Sequence, residues 1–379
     1  MIKPIYLDYN GTTPHAPEVI EAMRPFLESD FGNPSSTHWY GIAPKQAVEN
    51  ARRQVADTLG CKAGEVIFTS GGTESNNQAL KSIAGSRYTQ GTHIITSAVE
   101  HPAILEVCRF MEHHGFSVSY LPVDADGRVS PDDVAAAITE RTIMISIMHA
   151  NNEVGTVQPI AEISRLTTGK SILLHTDAAQ SVGKLATRVA DLGVGLLSVA
   201  GHTISGPTRI GAVYVREGVE VPLLCHGAGP ERGRRAGTEK GPGIAGLGKA
   251  CEIARRDMPA NTARMRATRD RLEAGLVAEL DDVRINAQGA QRLPNTASVS
   301  FYNLEANRLL EEIGLEVAAS AGAACHADTV EISHVLKAMQ IPEAWAKGTV
   351  RFTTGKMTTE AEIDRALAVI VATVKKLRD

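Results

Sequence analysis

Between residues 65 and 216, short apolar runs alternate with stretches of helical period, and this alternation constrains the fold more than any other feature of the chain. Val66–Thr69, His93–Thr96, Ser117–Leu121, Thr142–Met148, Ser171–His175, Gly195–Val199 and Ala212–Val215 read as strands. Thr73–Ile83, Pro102–His113, Pro131–Thr139 and Ile160–Leu166 read as helices between them. A strand that is apolar at nearly every position has no wet face, and parallel neighbours need a crossover of helix length. The pattern therefore predicts an α/β fold with a mostly parallel sheet covered by helices on both faces.

Near residue 255 the composition changes. Ala254–Leu280 is Arg-rich and helical in pattern, with Pro259 expected to kink or restart it. Strands at Val283–Asn286, Thr296–Phe301 and Thr349–Thr353 follow, with helices at Ser333–Ala338 and Thr359–Leu377. This reads as a smaller α+β unit. A length of 379 residues suits two or three domains. The expected division is a large domain at 15–255 and a small one made of 1–14 and 256–379.

The bulk properties exclude several functions. A formal charge of −4 and 4% aromatic residues give no basis for binding nucleic acid. No run of about 18 apolar residues exists to cross a membrane, and the first residues lack a signal-peptide pattern. Five scattered cysteines without Cys-x-x-Cys spacing fit a reducing, cytoplasmic setting with free thiols and no structural metal.

Polar and glycine-rich segments follow the expected strands. Ser70-Gly71-Gly72-Thr73-Glu74 joins a strand to a helix, where free N–H groups suit a phosphate. Alone it reads equally well as a turn with a cap. His101, after another strand, can stack on a flat ligand or move a proton. Asn151-Asn152-Glu153 and His175-Thr176-Asp177 put polar groups after the next two. A buried Asp at a strand end is costly unless a cation meets it, and a protonated pyridine nitrogen is one such cation. Gly201-His202-Thr203 follows the sixth strand. The charged loop from Gly229 to Glu239 is a possible anion site or a solvated loop. Cys325 sits among small residues beside His326, a setting for an activatable thiol. Arg351 on a strand can clamp a carboxylate through two N–H groups.

In order and spacing these motifs resemble the cysteine desulfurase and selenocysteine lyase family. The resemblance runs nearly end to end, through Tyr6-Leu7-Asp8, Gly32-Asn33-Pro34-Ser35-Ser36, Gly72-Thr73-Glu74-Ser75-Asn76, Asn151-Asn152-Glu153-Val154-Gly155, Asp177-Ala178-Ala179-Gln180, Arg235-Ala236-Gly237-Thr238-Glu239 and Ala324-Cys325. It implies the class-V aminotransferase form of the pyridoxal-phosphate-dependent transferase fold (fold type I, aspartate-aminotransferase-like) with a seven-stranded sheet. It also implies a homodimer, cysteine or selenocysteine as substrate, alanine as product and a protein that accepts the sulfur. By the same resemblance Gly72, Thr73, His202 and, from the other subunit, Thr238 hold the phosphate. His101 stacks and acts as acid or base, Asp177 meets the ring nitrogen and Gln180 the ring hydroxyl. Asn152 and Arg351 bind the substrate carboxylate, and Cys325 takes the sulfur as a persulfide on a long loop.

The sequence departs from the family at one turn. The family's Schiff-base lysine follows Gly-His, and here Thr203 stands there. Ala200 replaces a serine, and Thr208-Arg209 replaces Lys-Gly after Gly-Pro. A single Lys→Thr exchange does not account for all of these. A threonine cannot form an aldimine, so pyridoxal phosphate is expected to bind non-covalently or not at all. No lysine lies between Lys184 and Lys240, so no near neighbour in sequence substitutes. Three readings stay open: a sulfur-mobilising enzyme, a pseudoenzyme that relays sulfur or regulates, and a different reaction in a pocket remodelled by Thr203 and Arg209.

Overall fold

The computed structural model of the protein describes residues 3–326 and 329–379, and the side chains of residues 323–331 lie outside that description. Seven strands make the large sheet: β1 (Val66–Thr69), β2 (His93–Ser97), β3 (Ser117–Leu121), β4 (Thr142–Ser146), β5 (Leu173–Asp177), β6 (Leu196–Ala200) and β7 (Gly211–Val215). Their spatial order is β1-β7-β6-β5-β4-β2-β3. Only β7 runs against its neighbours; the remaining pairs are parallel. The other six strands therefore end at one edge, where open α/β sheets bind their ligands.

Alternation within the strands explains the two covered faces. Phe68, Ile95, Ile145, Leu174 and Leu197 point into one core, while Ile67, Ile94, Met144, Leu173 and Leu196 point into the other. Each expected strand of the sheet forms. The fifth is displaced two residues towards the C-terminus, so Asp177 is its last residue and not a member of the following loop.

A second sheet of four antiparallel strands has the order Ser320–Ala321, Thr349–Thr353, Thr296–Phe301, Val283–Ile285. Val299, Phe301, Val350 and Phe352 pack there against Ile363 and Ile370 of the terminal helix Glu360–Arg378. The expected helix break at Pro259 does not occur. One helix runs from Gly241 to Glu279, 39 residues, with Pro259 inside it. Its first part gives Ile244, Leu247 and Cys251 to the large-sheet core, and its last part gives Leu272 and Leu276 to the small-sheet core. Burial at both ends offsets a proline cost of roughly 3 kcal/mol.

Candidate active site

The carboxyl edge of the large sheet carries a cavity of about 270 Å³. Gly72, Thr73, His101, Asn152, Asp177, Gln180, His202, Thr203 and Arg351 all line it. Residues expected from six separate stretches thus meet at one place. Five do so because parallel strands deliver their following turns to the same edge, and Arg351 reaches it from the second sheet.

Each wall is held by the local fold. The helix Gly72–Arg87 starts at the cavity with Gly71 at φ 140°, and its first N–H groups have no partner in the helix itself. Glycine is also required at Gly211 of β7, where a Cβ would lie 2.8 Å from Gly71 Cα and 2.5 Å from Val199 O. Glu74 is fixed by Ser70 N at 2.8 Å and by Arg235 Nε at 2.8 Å, which pins the loop to the helix.

His101 caps the helix Pro102–Glu112, its Nδ1 accepting from Ala103 N at 3.1 Å. In the neutral ring an accepting Nδ1 leaves the proton on Nε2. Arg351 donates through Nη2 to Asp8 Oδ1 at 2.8 Å and through Nη1 to Asn152 O at 3.2 Å. The strand bridge from Asp8 to Thr353 brings this N-terminal turn under the guanidinium. The half-buried Glu153 accepts from Ser333 Oγ, and desolvation raises its carboxyl above the ordinary carboxylate range.

The Asp177 carboxylate is 6% exposed. Its oxygens accept from Asn76 Nδ2 at 2.6 Å and from Ala179 N at 2.9 Å. Among the described residues no cation pairs with it. Two more buried atoms beside the cavity, Asn76 Oδ1 and Arg351 Nε, have no hydrogen-bond partner among the described residues. A carboxylate left without a cation and a guanidinium N–H left without an acceptor are costly in the free protein. A ligand with a cationic ring nitrogen and anionic groups would satisfy both. The helix N-terminus at Gly72 and Thr73 adds a place for a phosphate. These residues fit the ring and phosphate of pyridoxal phosphate.

They do not supply its amine at position 203. Thr203 is 3% exposed, and its hydroxyl donates to Ala179 O at 2.6 Å and lies 3.0 Å from Ala200 O. The side chain is committed to the two turns it joins. Thr208 and Arg209 are exposed and do not line the cavity, so a pocket remodelled by Arg209 is not what forms. Thr238 is also exposed and away from its own chain's cavity.

Cys325 lies on the strand Ala323–His326, opposite Val330 in a hairpin; its side chain is outside the described residues. Burial pushes the thiols of Cys61, Cys108 and Cys251 up to about 12, so these three stay protonated.

Sequence reading overlooked Asn10, Asn76 and Lys184. Asn76 is one helical turn beyond Gly72, a spacing that could have marked it. Asn10 ties the N-terminal turn to the site, giving Nδ2 to Asn152 O and Thr296 Oγ1. Lys184 has no motif of its own, yet its Nζ donates to Gln180 Oε1 at 3.0 Å and to Asn10 Oδ1 at 3.2 Å.

Residues 5–366 match the Aminotransferase class-V family. The cysteine desulfurase IscS of Dictyoglomus turgidum is 46% identical over 379 residues, covering 100% of this chain and 96% of that protein. The IscS of Methanosarcina thermophila is 45% identical, with 100% and 93% covered. Among solved structures, a NifS-like protein superposes with a TM-score of 0.93 at 36% identity, over 99% of this chain and 100% of the other. SspA in complex with cysteine gives 0.82 at 37% identity, over 94% and 100%.

Proposed function

This chain belongs to the class-V aminotransferase family, among its cysteine desulfurases, and from that premise we propose that it releases sulfur from cysteine and leaves alanine. Selenium from selenocysteine is the same reaction on a larger atom. The family depends on pyridoxal phosphate. The observation that carries the reading is the Asp177 carboxylate, buried with no paired cation among the described residues, at the edge where Gly72, Gln180, His202 and Arg351 converge.

When bound, the cofactor supplies an electron sink that loosens bonds at the substrate's α-carbon and, through it, to sulfur. The protein's own groups do the rest. Asp177 holds the ring nitrogen protonated, with Asn76 and Ala179 N fixing the carboxylate's direction. Gly72, Thr73 and His202 hold the phosphate; Thr238 of a second copy completes it in a homodimer. Exposed Phe31, Trp39 and Tyr40 form an apolar patch that supports such pairing. Arg351 keeps Nε for the substrate carboxylate while Asp8 and Asn152 O brace the other nitrogens. His101 moves a proton through Nε2. Cys325 takes the sulfur as a persulfide and hands it to an acceptor protein. No described helix is long and apolar enough to cross a membrane, and we place the reaction in the cytoplasm.

The test is to load the protein with pyridoxal phosphate, add cysteine, count alanine, and look for added sulfur on Cys325 by mass spectrometry. Both products are expected. Arg351→Ala raises KM by roughly 10–100-fold, because a carboxylate clamp is lost. A loaded protein that yields neither alanine nor persulfide overturns the reading.

A further inference from the structure

Position 203 has a wall on each side. Thr203 lines the 270 Å³ cavity, and it also lines a second, smaller cavity of about 50 Å³ behind it. Lys184 lines that smaller cavity. Its Nζ already touches Gln180 Oε1 and Asn10 Oδ1, two residues of the larger one. Thr203, at the position where the family has a lysine, therefore borders both the cavity that Lys184 lines and the cofactor cavity.

The topology explains how an amine so far upstream arrives there. β5 and β6 are parallel neighbours, so the turns that follow them lie side by side. The Thr203 hydroxyl on Ala179 O ties one turn to the other. Lys184 sits one helical turn beyond Gln180 in the first of them, and Gly201–Thr203 forms the second.

The surroundings keep this amine available. Among the described residues no carboxylate pairs with Lys184; its two partners are neutral amide oxygens. Burial, with Arg351 adding like charge, pulls it from the ordinary lysine value to about 7. An unprotonated amine at neutral pH is a nucleophile, and an ammonium is not. Burial also pulls Lys356, which lines the small cavity too, below the ordinary lysine value, but there the charges of Asp257 and Glu18 oppose the shift.

We propose that Lys184 is the amine of this site: its Nζ, and not a side chain at position 203, bonds to the aldehyde carbon of pyridoxal phosphate. This rests on the reading that the large cavity holds that cofactor. The nitrogen adds to the carbonyl carbon, a C=N bond forms, and the carbonyl oxygen leaves as water with two protons from the amine. No oxidant or reductant is consumed. To reach the carbon, Lys184 gives up Gln180 and Asn10 and swings its four-carbon stem past Thr203.

The experiment is to load the protein with pyridoxal phosphate, remove free cofactor by gel filtration, and record the cofactor absorbance that stays with the protein. Half is then reduced with borohydride, digested and mapped by mass spectrometry. The pyridoxyl group is expected on Lys184. Lys184→Met should lose the fixed label by roughly tenfold or more while retaining non-covalent cofactor. Lys184→Arg keeps the cation and the donors but cannot form the bond, and should lose the label equally. Lys356→Met should keep it. Retained cofactor with no fixed label, or with the label on another lysine, overturns the inference and leaves the cofactor reading intact. A protein that retains no cofactor at all overturns both.

Discussion

Two buried cations in this molecule have opposite surroundings. Arg52, 2% exposed, meets the Glu231 carboxylate through both terminal nitrogens at 2.7 and 2.9 Å, and its Nη1 also reaches Val66 O at 2.9 Å. Burial alone pulls its guanidinium down, but Glu231 together with Glu49 more than compensates, so the net shift is upward. Lys184, 6% exposed, has only neutral oxygens as partners among the described residues and falls to about 7. The first arrangement fixes a charge and locks the Glu231 loop onto the sheet. The second makes the charge optional. Burial is common to both; the presence of a carboxylate decides whether a cation becomes a clamp or a reactive base.

The contrast can be broken at its strongest point first. Arg52→Leu leaves the buried Glu231 carboxylate with only the Phe68 N–H and no cation, and should cost about 3–5 kcal/mol in urea unfolding. A loss below about 1 kcal/mol would mean the pair is not a clamp. Lys184→Met sharpens the other side through pH. The folded pKa of Lys184 is depressed to about 7 from an ordinary 10.5, so between those values only the unfolded chain holds the proton. Wild-type stability should therefore climb relative to Lys184→Met as pH rises from about 7 towards 10, by a few kcal/mol (about 1.4 per unit as a ceiling), and the advantage should vanish below 7. Parallel stability curves across that window would show that the amine stays charged. At the weak end stands the exposed pair Lys62–Glu217, with side chains 74% and 71% exposed. Lys62→Ala should leave the urea-unfolding midpoint unchanged within error, in low salt as in high salt.

The sheet was legible because strands buried on both faces leave unbroken apolar runs. The cavity lining was legible because each such run ends in a polar or glycine-rich turn at a common edge. Arg351 could be read as a clamp because a guanidinium on a strand presents two N–H groups in a fixed fork. Lys184 was not legible. Its nearness to Thr203 is created by the β5–β6 pairing, and linear distance conceals it. Asn76 falls within the Gly72–Asn76 motif, but its hold on Asp177 depends on the angle at which its helix meets the sheet. Pro259 misled because a local cost was read without the packing at the two ends of its helix.

That helix has a consequence for motion. At 1.5 Å per residue its 39 residues make a beam of roughly 58 Å anchored in both cores. A beam built into two bodies transmits torque between them. The sheet bearing Arg351 then has little freedom to rock over the sheet bearing Asp177, and the angle between the two is set before any substrate arrives. Cooperative melting follows as well: loosening either core withdraws one end support from the other, so the chain should unfold in a single transition and not in two steps.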